Sequence, residues 1–137
     1  MVVFPTPIQG ITPAPLPPAG FLGQLGPKGL KKQTFIQVGY GVSALIGGGQ
    51  PQPDPSSAGT RRVATETFNA LTPTILYLSA INDGKPCTGD SGSPQFLGSM
   101  IVAEGIHGDS ACAALAAGYR LDTPSARAFL AHYVSLP

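Results

Sequence analysis

Cys87-Thr88-Gly89-Asp90-Ser91-Gly92-Ser93-Pro94 sets a serine on a turn between two glycines. Glycine reaches backbone conformations closed to other residues and leaves the approach to the hydroxyl uncrowded. A turn of this kind can aim several backbone N–H groups at one point beside the serine oxygen. A nucleophile and a donor pocket for developing negative charge are two parts of an acyl-transfer site. Ordinary surface turns also favour Gly, Asp and Ser, so the four central residues alone leave a plain turn as the other reading.

The surrounding pattern is that of a β protein. Strands are predicted over 34–42, over 60–70 with Val63, Thr65 and Thr67 on one face, and over 73–81. Asn82-Asp83-Gly84 is a turn signal leading into the serine loop. Beyond the loop, 95–97 and 100–104 suit a hairpin around Gly98-Ser99, and 116–121 suits one more strand. Thr123 can cap a helix and Pro124 fits its first position. That helix is expected over 123–134, with Ala126, Phe129, Leu130 and Tyr133 on one face packed against the strands. His132 neighbours this face as a partly exposed residue.

Other segments read differently. Residues 1–33 form an extended proline-rich connector. Six prolines between Pro5 and Pro18 forbid a helix or a central strand there. A disordered tail has the same composition. Gly26-Pro27 breaks any helix through Phe21, Leu22, Leu25 and Leu30, leaving at most a short turn. Residues 47–59 read as a flexible surface loop. No Lys-Ser or Lys-Thr follows Gly47-Gly48-Gly49, so it is not a phosphate cradle.

Composition narrows the function classes. With 137 residues the chain makes one domain. Gly 18, Pro 15 and only 11% charged residues favour many turns and an all-β class. The net charge of +1 and the lack of a basic stripe with interleaved aromatics argue against nucleic acid as a partner. No apolar run approaches the ~18 residues of a membrane span. Two scattered histidines make no metal-ligand set, so no metal and no cofactor is expected. The two cysteines, read by themselves, are either free thiols or one bridge.

The motif resembles the nucleophile loop of the trypsin/chymotrypsin-like serine proteases, in which Gly-Asp-Ser-Gly-Gly-Pro is usual. Ser93 stands where the second glycine after the aspartate would be. Cys87 lies four residues before Ser91, as in that family, and Cys112 stands where the family places its partner. Ile106-His107-Gly108 occupies the place of the family's Ser-Trp-Gly segment. Gly118-Tyr119-Arg120-Leu121-Asp122-Thr123 and the helical tail resemble the ending of bacterial members. Gly39-Tyr40-Gly41 is similar to the Gly-Trp-Gly that opens the family's second half. The likeness covers nearly the whole chain in the family's order.

The resemblance implies an antiparallel Greek-key barrel over 34–137, the second barrel of a chymotrypsin-like fold, with a C-terminal helix. It implies Ser91 as nucleophile, with the Gly89 and Ser91 amides as oxyanion hole. Ile106, His107 and Gly108 would form the edge along which a peptide or protein substrate pairs. Lys85, six residues before the serine, would lie at the base of the specificity pocket. Cys87 and Cys112 would form a disulfide across that pocket, worth about 3 kcal/mol in the chain-entropy model. A disulfide implies an extracellular or periplasmic location. Asp90 would be structural, pairing in the family with an amino group freed by cleavage. With that group missing, Asp90 is expected to lack a partner.

The family's catalytic histidine, in a Thr-Ala-Ala-His-Cys context, and its catalytic aspartate have no counterpart here. Met1-Val2-Val3-Phe4 resembles the strand just after that aspartate. His107 falls on the cleft wall and not in the place of the base. The resemblance therefore implies a serine endopeptidase half that carries the nucleophile and needs an N-terminal protease barrel for its base. The alternative is a catalytically inactive, protease-derived peptide-binding module.

Overall fold

A computed structural model describes residues 2–48, 51–81, 86–108, 112 and 115–137. The chain is mostly β. In order it forms α1 (Phe21–Leu30), β1 (Thr34–Gly39), β2 (Leu45–Ile46), β3 (Gln52–Pro53), β4 (Arg62–Leu71), β5 (Ile75–Ala80), β6 (Pro94–Leu97), β7 (Met100–Gly108), β8 (Leu115–Arg120) and α2 (Pro124–Leu130). Six strands close into an antiparallel barrel in the order β1-β4-β5-β8-β7-β6, with β6 pairing back on β1. Closure gives each barrel strand a neighbour on both sides, but β7 runs on to Gly108 past its last pairing with β6 at Glu104. β2 and β3 make a separate two-stranded ribbon at the start of the stretch read as a loop.

Alternation along each strand sends one set of side chains inward. Phe35, Leu76, Leu78, Val102, Ala103 and Ala116 are buried in the core, with Leu22 and Leu30 of α1 packed into the same cluster. On β4 the inward set is Ala64, Glu66 and Phe68. Val63, on the opposite face with Thr65 and Thr67, is 58% exposed. β7 reaches four residues past the expected end of the hairpin and carries Ile106-His107-Gly108 within the sheet.

Residues 21–33 hold more helix than expected. Gly26, at φ 61° and ψ 171°, interrupts α1, and the helix resumes at Pro27. A proline at the start of a helical segment loses no hydrogen bond, because that N–H has no partner anyway. Burial of Leu22 and Leu30 then holds both halves on the barrel. Gly20 caps α1 with no side chain. Asp122 does this from afar: its carboxylate accepts from the Leu22 amide at 2.8 Å and pairs in two-pronged fashion with Arg120. Pro17 is buried, and the Ile101 amide donates to the Pro15 carbonyl, so this end of the connector is docked.

The C-terminal helix begins as expected. Thr123 accepts from the Ala126 amide and Pro124 opens the helix. Its apolar face packs only in part. Ala126 is buried, but Phe129 and Tyr133 are about half exposed and stack on each other at 5.3 Å. Beside them Glu104, Tyr119, Leu121, Ala126, Phe129 and Leu130 line a groove of about 310 Å³. No helix among the described residues is long and apolar enough to cross a membrane.

Candidate functional site

The serine loop is built on the end of β1 and the start of β6. Gly89, at φ 96°, turns the chain back, with its Cα so near Gly41 that an added Cβ would lie 3.1 Å from the Gly41 Cα. The Asp90 amide closes the turn on the Cys87 carbonyl at 3.0 Å, and the Ser93 amide donates to the Asp90 carbonyl at 3.0 Å. The loop is then tied to β7: Gly92 donates to the Gly105 carbonyl at 2.7 Å, and Gly105 donates to the Ser93 carbonyl at 2.8 Å.

Asp90 is the keystone of this loop, and the expectation that it lacks a partner is corrected. One carboxylate oxygen accepts from the Gly41 amide at 2.8 Å and the other from the Cys87 amide at 2.9 Å. Hydrogen bonds to an ionised acceptor are the strong kind. The carboxylate fits only because Gly39 and Gly41 lack side chains, since a Cβ on either would collide with it. No freed amino group is needed to hold the loop. Sequence reasoning singled out Gly39 and Gly41 only as a strand ending and missed this contact.

Ser91 stands exposed at the tip of the loop. Its hydroxyl donates weakly to the Ile106 carbonyl at 3.4 Å. Among the described residues that is its one hydrogen bond, and no histidine reaches it. The Gly89 and Ser91 amides donate to no acceptor among the described residues. Ile106 is the extra residue of a β-bulge: Gly105 pairs with Gly118 and His107 with Ala117, so Ile106 is skipped. A bulge re-aims the strand locally. Here it accompanies the Ile106 carbonyl lying beside Ser91 and the exposure of Ile106 and His107. Gly108 lies against Pro86, with the Pro86 carbonyl 3.0 Å from where a Cβ would be.

Cys87 and Cys112 form a disulfide, with Cα atoms 5.1 Å apart and a sequence separation of 25. It ties the serine loop to the chain between β7 and β8. Lys85 lies outside the described residues. A cavity of about 200 Å³ adjoins the loop, lined among others by Gln37, Val42, Arg62, Pro86, Cys87 and Asp90. Ser91, Ile106, His107 and Gly108 do not line it. This cavity therefore lies on the Asp90 side of the loop, while Ser91, Ile106 and His107 are exposed.

Inside the barrel sits a polar cluster that sequence reasoning also missed. Gln37, Glu66, Ser93 and Gln95 are buried. Gln37 donates to the Ser93 hydroxyl, and Gln95 donates to the Gln37 side-chain oxygen at 3.0 Å. Burial raises the Glu66 carboxyl from 4.5 to about 7. The signal was strand parity: Gln37 alternates with Phe35, and Glu66 with Ala64 and Phe68. His132 is exposed just past the end of α2 and belongs to no cluster with Ser91.

No protein-family model, curated protein or solved structure matches this chain.

Proposed function

We propose that this chain is the C-terminal half of a chymotrypsin-like serine endopeptidase, its barrel of Greek-key type. Taking the six barrel strands in sequence, the order around the barrel is first, second, third, sixth, fifth, fourth, an arrangement that supports this reading. The observation that carries it is Ser91 itself. Its exposed hydroxyl sits on a loop pinned by a carboxylate, a disulfide and two strands, and the Gly89 and Ser91 amides of that loop donate to no acceptor among the described residues.

In this account the Ser91 hydroxyl attacks a peptide carbonyl. The Gly89 and Ser91 amides receive the oxyanion, where one donor is worth about 10²–10³ in rate. Ile106, His107 and Gly108 pair with the substrate backbone, and Lys85 stands at the base of the specificity pocket. The base that takes the Ser91 proton comes from an N-terminal barrel. The disulfide fits a secreted or periplasmic setting.

One observation favours a second reading, a silent peptide-binding module. Among the described residues the Ser91 hydroxyl meets a carbonyl and no base. Expression of the chain extended through the coding frame upstream of Met1 separates the two. The peptidase reading expects peptide hydrolysis that Ser91→Ala abolishes. A folded extended chain that binds peptides without cleaving them favours the module.

A further inference from the structure

The polar cluster inside the barrel ends in a mismatch. Gln95 donates to Gln37, and Gln37 donates to Ser93. Both Glu66 carboxyl oxygens and the Gln95 side-chain oxygen are buried without a partner among the described residues. Three acceptors with no donor are costly in a low-dielectric interior. One proton removes two of the three, because a protonated carboxyl is a donor that can meet the Gln95 oxygen, and it leaves the other Glu66 oxygen uncharged. The register brings Glu66 and Gln95 to the same stretch of the barrel interior. Gln37 pairs with Ala64 on one side and Gln95 on the other. Glu66 is the next inward position along β4 from Ala64, so Glu66 and Gln95 flank Gln37 within the barrel.

We propose that Glu66 is a proton-operated latch on the serine loop. Protonated, it donates to the Gln95 oxygen and completes a relay from Glu66 through Gln95 and Gln37 to Ser93. Ionised, it withdraws that donor and loosens the loop. The relay reaches the loop at Ser93, whose amide and carbonyl are bonded to Asp90 and Gly105. A glycine at 93, as in the resembled motif, would have no hydroxyl to receive Gln37.

Nothing described offsets the charge when Glu66 ionises. Phe35 faces it from β1 and Ala80 from β5. β6 offers Gln95, β7 Ala103 and Gly105, and β8 Gly118. The Arg120 guanidinium is committed to Asp122 and the Thr72 carbonyl. Lys28 of α1 is exposed, as are His107 and Glu104 of β7. Burial sets the Glu66 transition at about 7, so the latch works around neutrality. It holds whether or not Ser91 attacks a carbonyl.

The test is nuclear magnetic resonance on the full chain between about pH 5 and about pH 9. The Gly92, Ser93 and Gly105 amides should shift together with the Glu66 side-chain carboxyl carbon. Their protection against exchange, corrected for the intrinsic pH effect, should fall at least ~tenfold above the transition. Glu66→Gln should hold the loop in its low-pH form throughout. Ser93→Gly should leave the Glu66 titration in place but detach the loop amides from it. A loop transition that persists in Glu66→Gln would overturn the proposal. A Glu66 carboxyl that titrates in the ordinary acidic range would overturn it too, whether or not any variant folds.

Discussion

Asp90 and Gly41 define the site together. The Gly41 amide donates to the Asp90 carboxylate at 2.8 Å, and a Cβ on Gly41 would come within 2.6 Å of the same group. A contact across 49 residues thus depends on an absent side chain.

Gly41→Ala should therefore destabilise the chain by about 1–3 kcal/mol through overpacking. In an Asp90→Ala background the same change should cost much less, because the atoms it strikes are gone. A double-mutant cycle in urea measures the difference. Equal costs in both backgrounds would mean that the Gly41 requirement has another source.

How much of this was visible in the sequence depends on distance along the chain. The strands were legible because β-branched and apolar residues alternate between Gly and Pro breaks. The α2 start was legible because Thr123 and Pro124 sit in the right order. α1 was not, because Gly26-Pro27 reads as a stop, and only the burial of Leu22 and Leu30 reveals a kinked helix. β4 was legible as a strand with Val63, Thr65 and Thr67 on one face, but the face the barrel buries was not: it takes Ala64, Glu66 and Phe68 inward. The Asp90–Gly41 and Gln37–Ser93 contacts join residues far apart, where no local pattern shows them. The Cys87–Cys112 bridge was legible only through the resemblance.

The kinked helix makes a second prediction. Leu22 and Leu30 are fully buried in the core cluster, so truncating either to Ala should cost about 2–5 kcal/mol. Phe129→Ala, on a half-exposed ring, should cost clearly less. Thermal melts of the three variants check the ranking.

Stability should depend on pH through Glu66. Its carboxyl is raised from 4.5 to about 7 in the folded chain. The folded state therefore keeps a proton that the unfolded state has lost. The resulting stability is fully present below the unfolded value and drains away as pH rises to the folded one. The total is on the order of 3 kcal/mol. Glu66→Gln should remove this slope and be the more stable protein at the alkaline end. Urea midpoints across the range provide the measurement.

Reducing the Cys87–Cys112 bridge should cost about 3 kcal/mol by freeing a 25-residue loop in the unfolded chain. Because the bridge borders the serine loop, reduction should also raise exchange at the Asp90 and Ser93 amides. Denaturant melts with and without reductant, alongside amide exchange, read both effects.

The most direct test of Ser91 is its reaction with a fluorophosphonate, mapped by mass spectrometry, with and without added imidazole. On the proposed reading, Ser91 should react slowly alone, since loss of a triad base is worth of order 10⁶. Imidazole should then accelerate labelling at Ser91 selectively, the Gly89 and Ser91 amides receiving the phosphonyl oxygen. Rapid stoichiometric labelling without imidazole would contradict the missing base. Imidazole-driven labelling spread evenly over the exposed serines would contradict the site itself.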